Sequence, residues 1–112
     1  MNESPIFSRM YDFLKWFLPQ ATKFPRAYRF TLSERAQIHA LDLQETLIAA
    51  GLRRGSERLP HLRHADSQLA QLRHMIRLCK DLDLITLSQY EHASEHLAEI
   101  GRLLGGWMRN PN

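Results

Sequence analysis

No valine occurs anywhere in this chain of 112 residues, and that absence constrains its fold more than any other feature. A pleated sheet needs β-branched side chains to cover its faces. Here isoleucine and threonine supply only six and four of them. Eighteen leucines and ten alanines, joined by many Arg, Gln and Glu, are strong helix formers instead. The sequence therefore predicts an all-α protein and, at this length, a single domain. Hydrophobic residues at 44% suffice for a packed core and exclude wholesale disorder.

Helical periodicity divides the chain into four segments, at about 5–22, 32–53, 60–82 and 87–108. Ser4 is a good N-cap and Pro5 fits the first turn of the first helix. Ile6, Phe7, Met10, Tyr11, Phe13, Leu14, Phe17 and Leu18 give that helix a wide apolar face, and Pro19 ends or kinks it. Residues 23–30 read as a connection, because Pro25 disfavours helix at Phe24, and its aromatics suggest that it folds back on the bundle. Thr31-Leu-Ser-Glu34 reads as a capping box for the second helix, with Ile38, Leu41, Leu47, Ile48 and Leu52 as its apolar side. In the third, Leu62, Ala65, Leu69, Leu72, Ile76 and Cys79 recur at spacings of three and four, a heptad-like seam. Thr86-Leu-Ser-Gln89 is a second capping box, followed by Leu87, Tyr90, Ala93, Leu97, Ile100 and Leu104. Gly105-Gly106 ends or loosens this last helix, unless Trp107 and Met108 carry its apolar face one turn further. Four such helices on short turns predict an antiparallel up-down-up-down bundle.

Several function classes drop out early. The lone Cys79 rules out an intramolecular disulfide framework and a Cys-rich zinc site; on the seam of the third helix it reads as core. The start of the chain lacks the pattern of a secretion signal, and its most apolar window, Ile6 to Leu18, is interrupted by Arg9, Asp12 and Lys15. A cytoplasmic protein without a membrane span is the expectation. His92 and His96 stand four apart, as two metal ligands on a helix would. Yet the order His-Ala-Ser-Glu-His is not the protease order, and no third ligand stands out, so an exposed helix face is expected there. Glu91, Glu95 and Glu99 form an acidic stripe without the Glu-x-x-His motifs of a di-metal bundle. No cofactor, no metal and no catalytic residue are predicted.

The net charge of +3 hides a strong asymmetry. Residues 52–80 carry seven basic side chains against two acidic ones, whereas residues 81–99 carry five acidic and no Lys or Arg. At about 100° per residue, Arg63, Arg73, Arg77 and Lys80 fall in one sector of the third helix, roughly 100° wide, beside the apolar seam. Twelve of the fifteen basic residues are Arg, whose planar fork suits phosphate. The stripe reads either as a docking surface for nucleic acid or an acidic protein, or as a solvated face balanced by Asp66, Asp81 and the acidic fourth helix. Eight of the ten aromatics lie in the first thirty residues. One small bundle cannot easily bury so many beside its Leu seams, and the surplus suggests a protein interface.

Specific strings add a family. Phe7-Ser-Arg-Met-Tyr-Asp-Phe-Leu-Lys-Trp16, Lys23-Phe-Pro25, Arg29-Phe30, His61-Leu-Arg63-His-Ala-Asp66, Leu72-Arg73 and Gln89-Tyr-Glu-His-Ala93 occur in that order, ending in Glu99-Ile-Gly-Arg-Leu-Leu-Gly-Gly-Trp107. Together they resemble the accessory variability determinant (Avd) proteins of diversity-generating retroelements; the four-helix proteins of ribosomal RNA intervening sequences are a less close match. The resemblance implies a bundle assembled as a barrel-like homopentamer with a positive surface. It also implies a non-enzymatic accessory protein that binds the reverse transcriptase of its retroelement and the template RNA or cDNA, supporting mutagenic copying. The basic residues expected to carry this are Arg63, Arg73, Arg77 and Lys80, with Lys15, Lys23 and Arg29 near the first turn as secondary candidates. The alternative is a structural four-helix interaction module that binds no nucleic acid.

Overall fold

The structure, a computed structural model, describes residues 4–112. Four α-helices account for most of it: α1 Pro5–Ala21, α2 Glu34–Gly51, α3 Leu59–Asp81 and α4 Leu87–Arg109, with no strand among the described residues. Each helix packs on its neighbours in sequence, and α1 also packs on α4, so the four close into a ring around one core. Consequently α1 lies across a diagonal from α3, and the α1–α2 side of the bundle is opposite the α3–α4 side. The rod measures 44 × 24 × 21 Å, its long axis set by the two 23-residue helices.

The ends of the helices follow local chemistry. Ser4 caps α1 by accepting from the Ile6 N–H, with Pro5 in the first turn. Pro19 does not stop α1, which runs on to Ala21. Thr86 and Gln89 form a complete capping box on α4, each side chain bonding the other's backbone N–H (2.8 and 3.0 Å). After α3, the Leu84 N–H donates to Cys79 O and the Asp83 N–H to Lys80 O, with Asp83 at φ 61°. This is a Schellman turn with Asp in the left-handed position usually held by Gly.

The capping box expected at Thr31 does not form. A 3₁₀ turn, Arg26–Tyr28, passes into a π turn, Arg29–Ser33, which continues directly into α2. The backbone N–H groups that a box would serve already have acceptors, such as Arg29 O for Glu34 N–H. The wider turn directs both Leu32 and Ser33 inward. Ser33 Oγ instead donates to Ala21 O (2.6 Å) and accepts from Gln37 Nε2 (3.2 Å), tying the end of α1 to the start of α2. Of the connection's aromatics, Phe24 is buried and Tyr28 packs on the core, while Phe30 stands 71% exposed.

The seam of α3 buries all six of its predicted residues, and α4 buries Ala93, Leu97, Ile100 and Leu104 while Leu87 stays exposed. Helix α2 departs from expectation. Its buried face is Ala36, Ala40, Leu43, Leu47 and Ala50, so of the five residues predicted to face inward only Leu47 does. Ile38, Leu41, Ile48 and Leu52 are exposed, from 36% to 73%. The cause is volume. Helix α1 delivers Met10, Phe13 and Phe17 fully into the core, with the two Phe rings stacked at 5.2 Å, and small Ala side chains opposite them let α2 approach closely. Leu43 and Leu47 still fit inside, but Ile38, Leu41, Ile48 and Leu52 are left outside.

One end of the bundle is locked by a single side chain. Arg58 donates through Nε to Ala50 O (2.8 Å), through Nη1 to Pro111 O (2.6 Å) and through Nη2 to Gly51 O and Arg53 O. Its guanidinium also lies 5.2 Å from the centroid of Trp107. Trp107 in turn meets Phe7 edge-on at 5.8 Å, which explains why α4 continues through Gly105-Gly106 to Arg109. Gly51 belongs to this cluster: a Cβ there would come within 3.0 Å of Phe7 Cζ, whereas one at Gly105 would meet only Arg109 Nη1, at 3.6 Å. Gly105→Ala should therefore raise stability by about 0.5–1 kcal/mol, the usual gain within a helix. Gly51→Ala should lower it by about 1 kcal/mol, because Phe7 must move off Trp107. Paired denaturation curves check both signs; a stabilising Gly51→Ala would contradict the packing.

Candidate nucleic-acid interface

Two residues of the basic stripe of α3, Arg73 and Arg77, border a shallow groove between α3 and α4. Three adjoining depressions of about 380, 280 and 350 Å³ follow one another along it, and Arg73 lines all three. Asp66, Gly101 and Arg102 edge the first, Ser94 and Ala98 floor the second, and Arg77, His74 and Tyr90 border the third. Small residues on α4 open this groove. Ser94, Ala98 and Gly101 recur at helical spacing, and a Cβ at Gly101 would lie 3.7 Å from Arg73 Nη2, so the guanidinium rests across that glycine.

The cations differ in how far they are committed. Arg63 and Arg73 are exposed and make no ion pair among the described residues. Arg77 meets Asp81 at 3.9 Å with both side chains more than half exposed, a contact worth well under about 1 kcal/mol. Lys80 Nζ lies 3.3 Å from the other Asp81 oxygen and 4.8 Å from the centroid of Tyr90. Arg102 is held by Glu99 through Nε (2.8 Å) and Nη2. That pairing lowers the Glu99 pKa and raises that of Arg102. The acidic stripe on α4 thus neutralises Arg102 and leaves Arg73 free.

The secondary candidates are not brought into this groove. Lys15 is exposed on α1 and Lys23 in the turn after it. Arg29 lines a separate depression of about 500 Å³ beside Phe24, Ile38 and Leu41, on the α1–α2 side. Arg58, counted with the basic segment in the sequence, points into the carbonyl cluster described above. Sequence reasoning missed Tyr90 and Gly101 as parts of the groove. Tyr90 reads as an ordinary apolar-face position, and only the pairing of α3 with α4 places it beside Arg77.

Of the histidine pair expected on an exposed face, His92 is exposed and His96 is half-buried. His92 lies 4.6 Å from Trp16 and 4.8 Å from His96, between ring centroids, on the α1–α4 side. Desolvation, then the neighbouring His92 and Arg9, lower the His96 pKa, and its buried Nδ1 has no hydrogen-bond partner among the described residues. Burial likewise pushes the Cys79 thiol up to about 11, the behaviour of a packing residue. Among the described residues no group of three or more His, Cys, Asp or Glu is placed to hold a metal ion. Among the described residues no helix is long and apolar enough to cross a membrane.

No curated protein matches the chain. The family model described as bAvd-like matches residues 5–111. Because that match begins in the first turn of α1 and ends beyond the last turn of α4, the chain belongs to the bAvd-like family.

Proposed function

We propose that this protein is a non-enzymatic accessory subunit of a diversity-generating retroelement. It binds the retroelement's reverse transcriptase together with template RNA or cDNA, in the cytoplasm, and supports mutagenic copying. The observation that carries this reading is the division of the ring into opposite sides. The α3–α4 side presents Arg73 and Arg77 along a groove, with Arg63 exposed on the same helix; the α1–α2 side presents Tyr11, Ile38, Leu41 and Ile48. Uncommitted Arg forks on the first suit phosphates. The exposed apolar strip on the second suits self-association, as a barrel-like homopentamer of single-domain bundles.

Contacts between helix ends support the antiparallel order within each bundle. Phe7 at the start of α1 touches Trp107 at the end of α4, and Gln89 at the start of α4 bonds Gln20 at the end of α1 (3.2 Å).

The alternative, an interaction module without nucleic acid, draws on Asp81, which offsets Arg77 and Lys80. Arg73→Ala with Arg77→Ala decides between them. Removing two phosphate-binding guanidinium groups should weaken RNA binding at least about tenfold at low salt and flatten the salt dependence of log K by about 2. Helical content should stay unchanged, since both side chains are exposed. Unaltered RNA binding in the double variant would remove the groove from the reading, and absence of RNA binding by the unmodified protein would leave the interaction module.

A further inference from the structure

We infer that the α3–α4 groove selects single-stranded over double-stranded nucleic acid, by taking an unpaired base against Tyr90 while Arg73 and Arg77 hold the adjoining phosphates. This rests on the nucleic-acid reading of the groove and specifies the form of the ligand. Tyr90 is half-buried and lines two of the three depressions, so its side chain forms part of the groove wall. Each depression, at about 280–380 Å³, has room for a nucleobase but not for a duplex.

A base pair stacked within a helix cannot reach down between two α-helices, whose axes lie roughly 8–10 Å apart in contact. A duplex would meet the exposed side chains of Arg63, Arg73 and Arg77 without reaching the Tyr90 ring. An unpaired base has a free π-face, and stacking on an aromatic ring is the sequence-tolerant way of holding one. Lys80 reinforces the site: with Nζ 4.8 Å from the Tyr90 centroid, it steadies the ring and sets a cation beside it. The small floor residues Ser94 and Ala98 keep the path from Arg73 to Tyr90 open.

The test uses the full chain and a labelled RNA without self-complementarity, alone and annealed to its complement, followed by fluorescence polarisation. Tyr90→Leu keeps an apolar side chain toward the core but removes the ring. It should weaken single-strand binding by about tenfold, the usual worth of one stacked base, and leave duplex binding unchanged. Tyr90→Phe, which keeps the ring, should bind as the unmodified protein does. Ala98→Leu, at an exposed position where folding is not at stake, should obstruct the groove and reproduce the selective loss. If Tyr90→Leu and Ala98→Leu leave single-strand binding intact while Arg73→Gln with Arg77→Gln weakens both forms, the inference falls and the nucleic-acid reading stands. If the unmodified protein binds neither RNA at low salt, both fall.

Discussion

Arg58→Ala should cost about 3 kcal/mol of stability, the largest loss expected from any partly exposed side chain in this protein. The guanidinium serves carbonyls of Ala50, Gly51, Arg53 and Pro111. Two of these belong to the last turn of α2, where carbonyls lack helical partners and the helix dipole favours a cation. Hydrogen bonds from a charged donor are worth roughly 1.5–3 kcal/mol each, and the half-buried acceptors recover only part of that from water. The stacking on Trp107 is lost as well. Arg58→Lys should recover less than half, because a single ammonium cannot reproduce a fork that spans acceptors on separate segments. Urea denaturation of each variant at one fixed protein concentration measures the loss, since assembly would otherwise shift the midpoint. A change below about 0.5 kcal/mol for Arg58→Ala would refute the role, being the ordinary scatter of surface substitutions.

Arg58 also shows what limits a reading of this chain from sequence. As one of seven basic residues in a basic segment, it resembles its neighbours Arg53 and Arg54. Only the meeting of the α2 end, the α3 start and the chain's last residues reveals that it faces inward. The seam of α3 is fully legible for the opposite reason: its six apolar residues keep strict helical phase and no other large apolar stripe competes with them. In α2 two stripes compete. The one with the larger side chains reads as the core, yet the partner helix already fills that space with Phe13 and Phe17. Volume complementarity between helices leaves no trace in the periodicity of either one. The interface follows the same rule. The phase of Arg63, Arg73 and Arg77 on one helix can be read directly, whereas Tyr90 and Gly101 become part of the groove only through the pairing of α3 with α4.

The misplaced stripe of α2 leads to the second large effect. On the proposed assembly, Leu41→Lys with Ile48→Lys should give monomers without unfolding the chain. Both residues are exposed in the chain, at 36% and 46%, and Lys is a good helix former, so the fold has little to lose. An interface has much to lose. Each aliphatic side chain covered by a neighbour contributes about 1.5–3 kcal/mol, and a buried unpaired ammonium adds a desolvation cost of several more. In the proposed closed ring each face would repeat, so the penalty would apply at every contact. Light scattering after size exclusion should give a salt-resistant pentamer for the unmodified protein and the mass of one chain for the variant, with equal helical content. The groove on the far side of the bundle is untouched, so each monomer should still bind RNA, but apparent affinity should fall by about 10²-fold or more as several linked sites become single ones. A variant that stays pentameric would exclude the α1–α2 strip as the contact between subunits. A monomeric variant with undiminished affinity would instead show that each groove acts alone, and that assembly serves the reverse transcriptase and not the nucleic acid.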